Sequence, residues 1–185
     1  MKRVVIHSNG DQQLIYFPDF FEKSALQDLI TSLNWKNNKI QVFGKIYDEP
    51  RCTAWYGEPY KYSSIEWPAQ KLTPLLQSIQ RQVENHAEFT FNSVLANWYR
   101  NGQDSMGWHS DNEPEMDQTC IASVTFGQKR KMCFRSKKTK EKIEIELLDR
   151  SLLLMLNFQS DWQHAIPKSR RTMTDRINLT YRRII

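Results

Sequence analysis

The sequence predicts an α+β fold in which a β-sandwich or jelly roll carries two or more helices packed on one sheet. Two segments with helical spacing of apolar residues come early in the chain, and from Phe89 onward one strand-like segment follows another. The 185 residues contain no repeat, low-complexity tract or linker, and their number suffices for one domain with its own core. We therefore expect a single domain over residues 1–185, with about 89–185 as its jelly-roll core.

Two helices are predicted from apolar side chains that recur on one helical face. The first covers residues 20–35 and has a stripe of Phe21, Ala25, Leu26, Leu29, Ile30 and Leu33. The second covers residues 68 to about 86 and has a stripe of Leu72, Leu75, Leu76, Ile79 and Val83. Pro74 lies in the first turns of the second helix or marks its true start, because proline is tolerated at the beginning of a helix.

Strands account for most of the remaining chain. Residues 40–62 predict short strands separated by turns near Gly44, Glu49-Pro50 and Gly57-Glu58-Pro59. Further strands are predicted at residues 91–99, 119–126, 131–134, 142–148, 151–156 and 176–183. Many antiparallel strands that follow two helices are typical of a sandwich with helices on one sheet.

Composition indicates a globular chain, with 39% hydrophobic and 12% aromatic residues. A net charge of +5 weakly favours a polyanionic partner. Cys52, Cys120 and Cys133 show no CxxC spacing, which argues against a disulfide framework and for a reducing compartment. The N-terminal residues lack the long apolar stretch of a signal peptide. The longest apolar run, residues 152–156, is too short to span a bilayer. We expect an intracellular monomer without membrane contact, cytoplasmic in a bacterium or nuclear in a eukaryote.

His109, Asp111 and His164 have the composition of a two-histidine, one-carboxylate metal face. His109 and Asp111 are two residues apart, so an extended backbone points both side chains the same way. Three protein ligands leave open positions on a redox iron for further ligands. Zinc would accept the same residues, and a surface histidine beside a surface aspartate is the simplest alternative. Residue types alone therefore predict a metal site without fixing the metal.

A polar row follows near the end of the chain, at every second position from Arg176 to Arg182. In a strand this spacing puts Arg176, Asn178, Thr180 and Arg182 on one side. Guanidinium groups bind carboxylates in a paired, planar geometry that lysine cannot copy. Asn97 and Tyr99 form a second alternating pair on a predicted strand. The row indicates either an anion pocket or the solvated face of an ordinary antiparallel sheet.

Taken together, these motifs resemble the AlkB family of iron(II)- and 2-oxoglutarate-dependent dioxygenases. The similarity extends from about Gln41 to the end of the chain. Its motifs are Asn97-Trp-Tyr99, His109-Ser-Asp111, His164 and Arg176-x-Asn178-x-Thr180-x-Arg182. The segments Gln41-Val-Phe-Gly-Lys45 and Ala54-Trp-Tyr-Gly-Glu58 resemble the members that repair alkylated DNA. The resemblance implies a double-stranded β-helix, which agrees with the strand-rich half of the sequence.

The resemblance also implies a role for each motif. His109, Asp111 and His164 would hold Fe(II). Arg176, with Tyr99 and Asn178, would bind the distal carboxylate of 2-oxoglutarate, whereas Arg182 and Asn97 would serve the end that chelates iron. Thr180 is expected to be a packing position.

The implied reaction is oxidative demethylation of 1-methyladenine and 3-methylcytosine in DNA. Oxygen and 2-oxoglutarate are consumed, and formaldehyde, succinate and carbon dioxide are released. Two alternatives stay open: the same chemistry on RNA or on single-stranded nucleic acid, and a non-catalytic, metal-containing nucleic-acid-binding module.

Substrate contacts are expected from about residues 40–62 and from the residues after Asp111. A methylated Watson–Crick edge must be flipped out of a duplex, and an apolar wedge can fill the gap. The resemblance implies that wedge at Phe43, a backbone or opposite-strand contact at Arg51, and base-pocket walls at Tyr60 and Tyr62. Ordinary hairpin or core packing is the alternative for the three aromatic residues.

Asn112 and Glu113 could accept hydrogen bonds from the exocyclic amine of the base. Two basic stretches, residues 129–142 and 168–171, could follow a phosphate backbone or be solvated surface.

Overall fold

The computed structural model describes the backbone of residues 2–42, 45–62, 65–171 and 173–185, and the side chains of these residues except 40–42, 45, 60–62 and 65–67. Two helices and fifteen strands lie within these ranges. In chain order they are β1 (Val4–Asn9), β2 (Gln12–Phe17), α1 (Leu26–Ser32), β3 (Lys39–Val42), β4 (Lys45–Asp48), β5 (Cys52–Gly57), β6 (Tyr60–Tyr62), β7 (Ile65–Trp67), α2 (Pro74–Ala87), β8 (Ser93–Tyr99), β9 (Met106–His109), β10 (Cys120–Gly127), β11 (Arg130–Ser136), β12 (Lys142–Leu147), β13 (Ser151–Leu156), β14 (Trp162–Ile166) and β15 (Arg176–Arg182).

Two facing sheets form the body of the protein. The larger has seven antiparallel strands in the order β1-β2-β13-β10-β15-β8-β5, and the smaller has four in the order β12-β11-β14-β9. One apolar core lies between them, with Ile121 and Leu153 from the large sheet and Phe134 and Ile145 from the small one. This arrangement confirms the predicted sandwich.

The second core lies between the helices and the other face of the large sheet. Leu29 of α1 and Leu76 and Val83 of α2 are buried in the same cluster as Ile177 and Leu179 of β15. Each such side chain contributes about 1.5–3 kcal/mol when fully buried. Both predicted helices therefore pack on one sheet, as expected.

The helices differ from the prediction at their starts. Helix α2 begins at Pro74, with Thr73 as its N-cap accepting a hydrogen bond from the amide of Leu76, so residues 68–73 are not helical. Helix α1 is shorter than the predicted 20–35. The amides of Phe20 and Phe21 donate to the carbonyl of Arg150, which ties this segment to the turn before β13 instead of to a helix.

Strand β15 decides between the two interpretations of its polar row. It lies between β10 and β8 in the large sheet, and all seven of its residues are buried. Its apolar residues face the helices, and its four polar residues line a cavity between the sheets. The solvated-face alternative is therefore wrong.

The division of the chain also differs in detail from the prediction. Within residues 40–62, β5 is an edge strand of the large sheet, whereas β3–β4 and β6–β7 are two separate two-stranded sheets. Strands β1 and β2, which the sequence did not predict, extend the large sheet beyond β13. Neither described helix combines the length and the apolar character that a bilayer-spanning helix requires.

Candidate metal and cosubstrate site

Three potential metal ligands meet between the sheets. His109 ends β9 and pairs directly with His164 of β14, which places the two imidazole centroids 4.2 Å apart. Asp111 follows β9 by two residues and is buried. One donor atom from each of the three residues lies within 4.8 Å of the other two. This spacing allows all three to bind a single ion.

Hydrogen bonds fix the orientation of these side chains. The Nδ1 of His109 lies 2.9 Å from the carbonyl oxygen of Gly107, which can only accept, so Nδ1 carries the proton and Nε2 keeps its lone pair. Arg182 Nη2 donates to Asp111 Oδ1 over 2.7 Å. The Asp111 amide donates to the side-chain oxygen of buried Gln159. Asp111 is thereby held at its backbone and at one carboxylate oxygen.

The protonation states suit a divalent cation. Burial lowers the pKa of His109, and it lowers that of His164 to about 3. Burial opposes ionisation of Asp111, but Arg182, His164 and His109 together outweigh it and keep the pKa of this carboxyl below its ordinary value. Two neutral imidazoles and one carboxylate are the forms that bind a metal.

Arg176 forms the second half of the cavity. Its guanidinium is almost fully buried, lies 5.1 Å from the Tyr99 ring centroid, and donates from Nη2 to Thr125 Oγ1. Its Nε and Nη1 form no hydrogen bond within the described part of the chain, nor does Asp111 Oδ2. Burial lowers the pKa of Arg176 to about 10, so it stays charged at neutral pH. A buried cation with two unused donors fits the carboxylate of an anionic cosubstrate.

Asn178 lies between the two arginines but is already bonded to protein. Its amide nitrogen donates to Ser123 Oγ and to the Val124 carbonyl, and its oxygen accepts from Thr180. These bonds use both amide hydrogens, so Asn178 shapes the cavity wall and fixes β15 against β10. Thr180, expected as a packing residue, also has this hydrogen-bonding role.

Asn97 and Arg51 lie together at the end of the cavity near β5. Asn97 lines the cavity, and its oxygen accepts a hydrogen bond of 2.7 Å from Arg51 Nε. Arg51 is only 5% exposed and pairs with buried Glu49 at 2.6 Å. The expected contact of Arg51 with a nucleic-acid backbone stays a prediction. Its guanidinium is enclosed and paired within the protein.

Comparison with known proteins decides the family. The model of the 2OG-Fe(II) oxygenase superfamily matches residues 13–182. Human alpha-ketoglutarate-dependent dioxygenase alkB homolog 3 is 35% identical over 98% of this chain and 69% of its own length. Mouse DNA oxidative demethylase ALKBH2 is 36% identical over 80% of this chain and 67% of its own length. The chain belongs to the AlkB family.

The fold comparison agrees with this assignment. The solved structure of OsALKBH1 matches with a TM-score of 0.69, covering 97% of this chain and all of that one at 10% sequence identity. Such low identity supports the jelly-roll fold alone. The family model and the relatives together identify an Fe(II)- and 2-oxoglutarate-dependent dioxygenase. Its cofactors are Fe(II), 2-oxoglutarate and O2, and the His-Asp-His cluster and buried Arg176 fit the first two.

Two of the expected base-recognition residues of this AlkB-family protein, Asn112 and Glu113, do not line the cavity. Asn112 is exposed and Glu113 half-buried in the loop after Asp111. Phe43 lies outside the described residues. Tyr60 and Tyr62 lie in β6, but their side chains are also outside the description.

Among the residues that hold the site in place, Gln159, Thr125 and Glu49 were not predicted as contributors from sequence. None belongs to a motif with characteristic spacing. Glu49 was seen only as part of a turn, and Thr125 only as part of a strand. No local signal separates such residues from ordinary polar positions, because their partners lie far away in the sequence.

Proposed function

We propose that this protein demethylates N-alkylated nucleic-acid bases, with 1-methyladenine and 3-methylcytosine in DNA as its substrates. The observation that carries the proposal is one buried cavity that holds both the His-Asp-His cluster and the partly unsatisfied Arg176. The names of the relatives, AlkB homolog 3 and DNA oxidative demethylase ALKBH2, support the substrate class.

In this proposal His109, Asp111 and His164 hold Fe(II). When bound, iron with O2 and 2-oxoglutarate supplies the oxidation of an N-methyl carbon, while the cosubstrate is decarboxylated to succinate and carbon dioxide. The protein keeps the ligands in a fixed orientation. Gly107 sets the tautomer of His109, and Arg182 restrains one oxygen of Asp111.

Arg176 is the proposed anchor for the distal carboxylate of 2-oxoglutarate. Its Nε and Nη1 lie on either side of Nη2, and either one together with the second Nη2 hydrogen gives the planar, paired geometry that a carboxylate prefers. Thr125 and Tyr99 hold the guanidinium in place. Because the site is buried, this ion pair is screened less than it would be in water. Asn97 and Arg182 line the other end of the cavity, where the iron-chelating end of the cosubstrate would lie.

After oxidation, the base carries an N-hydroxymethyl group. The nitrogen–carbon bond breaks and its electron pair returns to the base nitrogen, while the carbon leaves as formaldehyde and the hydroxyl proton passes to solvent. This last step needs no dedicated side chain, so a further catalytic residue is not required.

Recognition of the base is assigned to the hairpins outside the two large sheets, β3–β4 and β6–β7. We propose that Phe43 fills the gap left by a flipped base and that Tyr60 and Tyr62 stack on the base. Base–aromatic stacking typically contributes about 1–3 kcal/mol. Asn112 and Glu113 directly follow Asp111, from where they would accept hydrogen bonds from an exocyclic amine.

The test is 2-oxoglutarate-dependent formaldehyde and succinate release from methylated oligonucleotides. Matched single- and double-stranded DNA, and the same sequence as RNA, separate the substrate classes. We expect turnover of methylated DNA that requires Fe(II), O2 and 2-oxoglutarate. If freshly iron-loaded protein leaves every methylated strand unchanged, the proposal is wrong. A charge-transfer band on anaerobic addition of Fe(II) and 2-oxoglutarate distinguishes the oxygenase site from a merely structural metal.

A further inference from the structure

Trp108 is an exposed aromatic residue immediately beside a proposed metal ligand. Successive residues of a strand face opposite sides, so Trp108 of β9 lies on the outer face of the small sheet whereas His109 faces the cavity. Its side chain is 40% exposed. The guanidinium of Arg135 lies 4.4 Å from its ring centroid and is held by Gln163. An aromatic ring therefore stays at the surface with a cation stacked against it.

Trp108 lines an apolar groove on this outer face. The groove walls include Trp108, Cys133, Ala165, Pro167 and Lys168. Met106 and Ile166 line both this groove and the metal cavity, so the two lie on either side of the same strands.

A second, basic groove continues from the first. Pro167 and Lys168 line both, and the basic groove adds Lys129, Lys131, Arg170 and Arg171. The combined surface, here called the Trp108 groove, has an aromatic ring at one end and cations at the other.

The charges of the Trp108 groove are only partly neutralised. Lys129 and Lys131 pair with Glu146 and Glu144 on the neighbouring strand. By contrast, no carboxylate within the described ranges forms an ion pair with the side chains of Lys168, Arg170 or Arg171. Exposed cations beside an apolar, aromatic floor are complementary to a chain that carries both phosphates and unpaired bases.

We propose that the Trp108 groove binds a single-stranded part of the nucleic-acid substrate outside the target base. One unpaired base stacks on Trp108 next to Arg135, and adjoining phosphates bind Lys168, Arg170 and Arg171. A duplex keeps its bases stacked inside and offers no free base face, so the groove favours single strands. This inference rests on the proposed function and deepens it by locating a second contact with the same substrate.

Binding to iron-free protein tests the groove independently of turnover. The probe is a short, fluorescent, unmethylated single-stranded oligonucleotide, followed by anisotropy at fixed salt concentration. We expect Trp108→Ala to weaken binding about fivefold or more, and Trp108→Phe to retain most of it, because any aromatic face supports stacking. Leu148→Ala is the matched control, since Leu148 is an exposed apolar residue outside the groove. Equal affinity of Trp108→Ala and the parent protein overturns the proposal.

Cys133 provides a footprint that does not depend on any substitution of Trp108. Burial raises the pKa of the Cys120 thiol to about 12, which keeps it unreactive. In a Cys52→Ser background, maleimide modification therefore reports on Cys133 in the groove. We expect the oligonucleotide to slow this modification, and to slow it less when Trp108 is replaced by alanine. An unchanged rate at saturating oligonucleotide shows that the groove is not occupied and overturns the proposal.

Turnover separates a failure of this inference from a failure of the proposed function. If neither a methylated oligonucleotide nor a methylated mononucleotide is demethylated, the proposed function fails, whereas the binding and footprint results still decide the groove. If both are demethylated, Trp108→Ala should raise the KM for the oligonucleotide relative to the KM for the mononucleotide. If a duplex slows the maleimide modification of Cys133 as much as a single strand does, the proposed preference for single strands is wrong.

Discussion

The cavity and the outlying hairpins differ in how their strands are paired and buried. Arg176 and Arg182 lie on the central strand of three hydrogen-bonded neighbours, and all seven residues of β15 are buried. Within the described residues, the hairpins β3–β4 and β6–β7 join neither of the two large sheets, and Ile46 and Tyr47 of β4 are exposed. Isolated two-stranded hairpins are marginally stable. The site residues of β15 thus lie inside a large sheet, whereas the proposed recognition of a base falls to strands of two separate two-stranded sheets.

Replacing a metal ligand should have the largest effect on activity. We expect His109→Ala to abolish demethylation because one of the three donors is removed, while oligonucleotide binding largely survives. Formaldehyde release measures demethylation, and fluorescence anisotropy measures oligonucleotide binding. The control is Ser110→Ala at the position between His109 and Asp111 in the chain, which removes a hydroxyl that donates to the Trp162 carbonyl. Retention of 2-oxoglutarate-dependent turnover in the His109 variant would contradict the metal assignment.

Arg51 joins the two regions and gives the next largest effect. Arg51→Ala leaves Glu49 buried without its partner, and breaking a buried pair typically costs about 3–5 kcal/mol. The free energy of unfolding in urea measures this cost. Glu49→Gln in the same background should recover part of it by removing the unpaired charge.

Salt dependence distinguishes this role of Arg51 from the phosphate contact expected from sequence. A phosphate contact would change the slope of log K against log salt by about 0.7–0.9, whereas an internal ion pair leaves the slope unchanged. If the slope of log K against log salt is lower in Arg51→Ala than in the parent protein, the result supports a contact between Arg51 and a phosphate.

Arg176→Lys tests the cosubstrate half of the cavity. We expect the KM for 2-oxoglutarate to rise about tenfold or more, because a lysine keeps the charge but loses the paired donor geometry. Thr125→Ala removes one hydrogen bond to the guanidinium and should give a smaller rise of the same kind. An unchanged cosubstrate affinity in both variants, measured by calorimetry with Mn(II) in place of iron, would show that the anchor lies elsewhere.

Among these substitutions, Phe43→Ala should have the smallest effect on activity and stability. We expect slower repair of duplex DNA, nearly unchanged repair of single strands, and no loss of thermal stability. Tyr47→Ala is the matched control, since Tyr47 is an exposed aromatic residue of the same hairpin. If duplex repair is equal in the two variants, the proposed wedge is wrong.

Much of the cavity could be predicted because its signals are local. The alternation from Arg176 to Arg182 predicts one polar face, and Pro74 marks the start of α2. No ranges were predicted for strands β9 and β14, which carry His109 and His164, although an extended backbone was expected at His109. Both are short, and β9 contains Gly107. Their strand conformation depends on pairing with each other and with β11.

The sequence by itself determined which residue types share one side of β15 and which donors are available to a metal. Tertiary structure alone decided that this side is buried, that Gln159 holds Asp111, and that Arg51 faces Asn97 instead of solvent. The physical reason is that side-chain alternation follows from the backbone of one strand. Burial and partner choice depend on which distant strands become neighbours, and the packing of the two sheets sets that register.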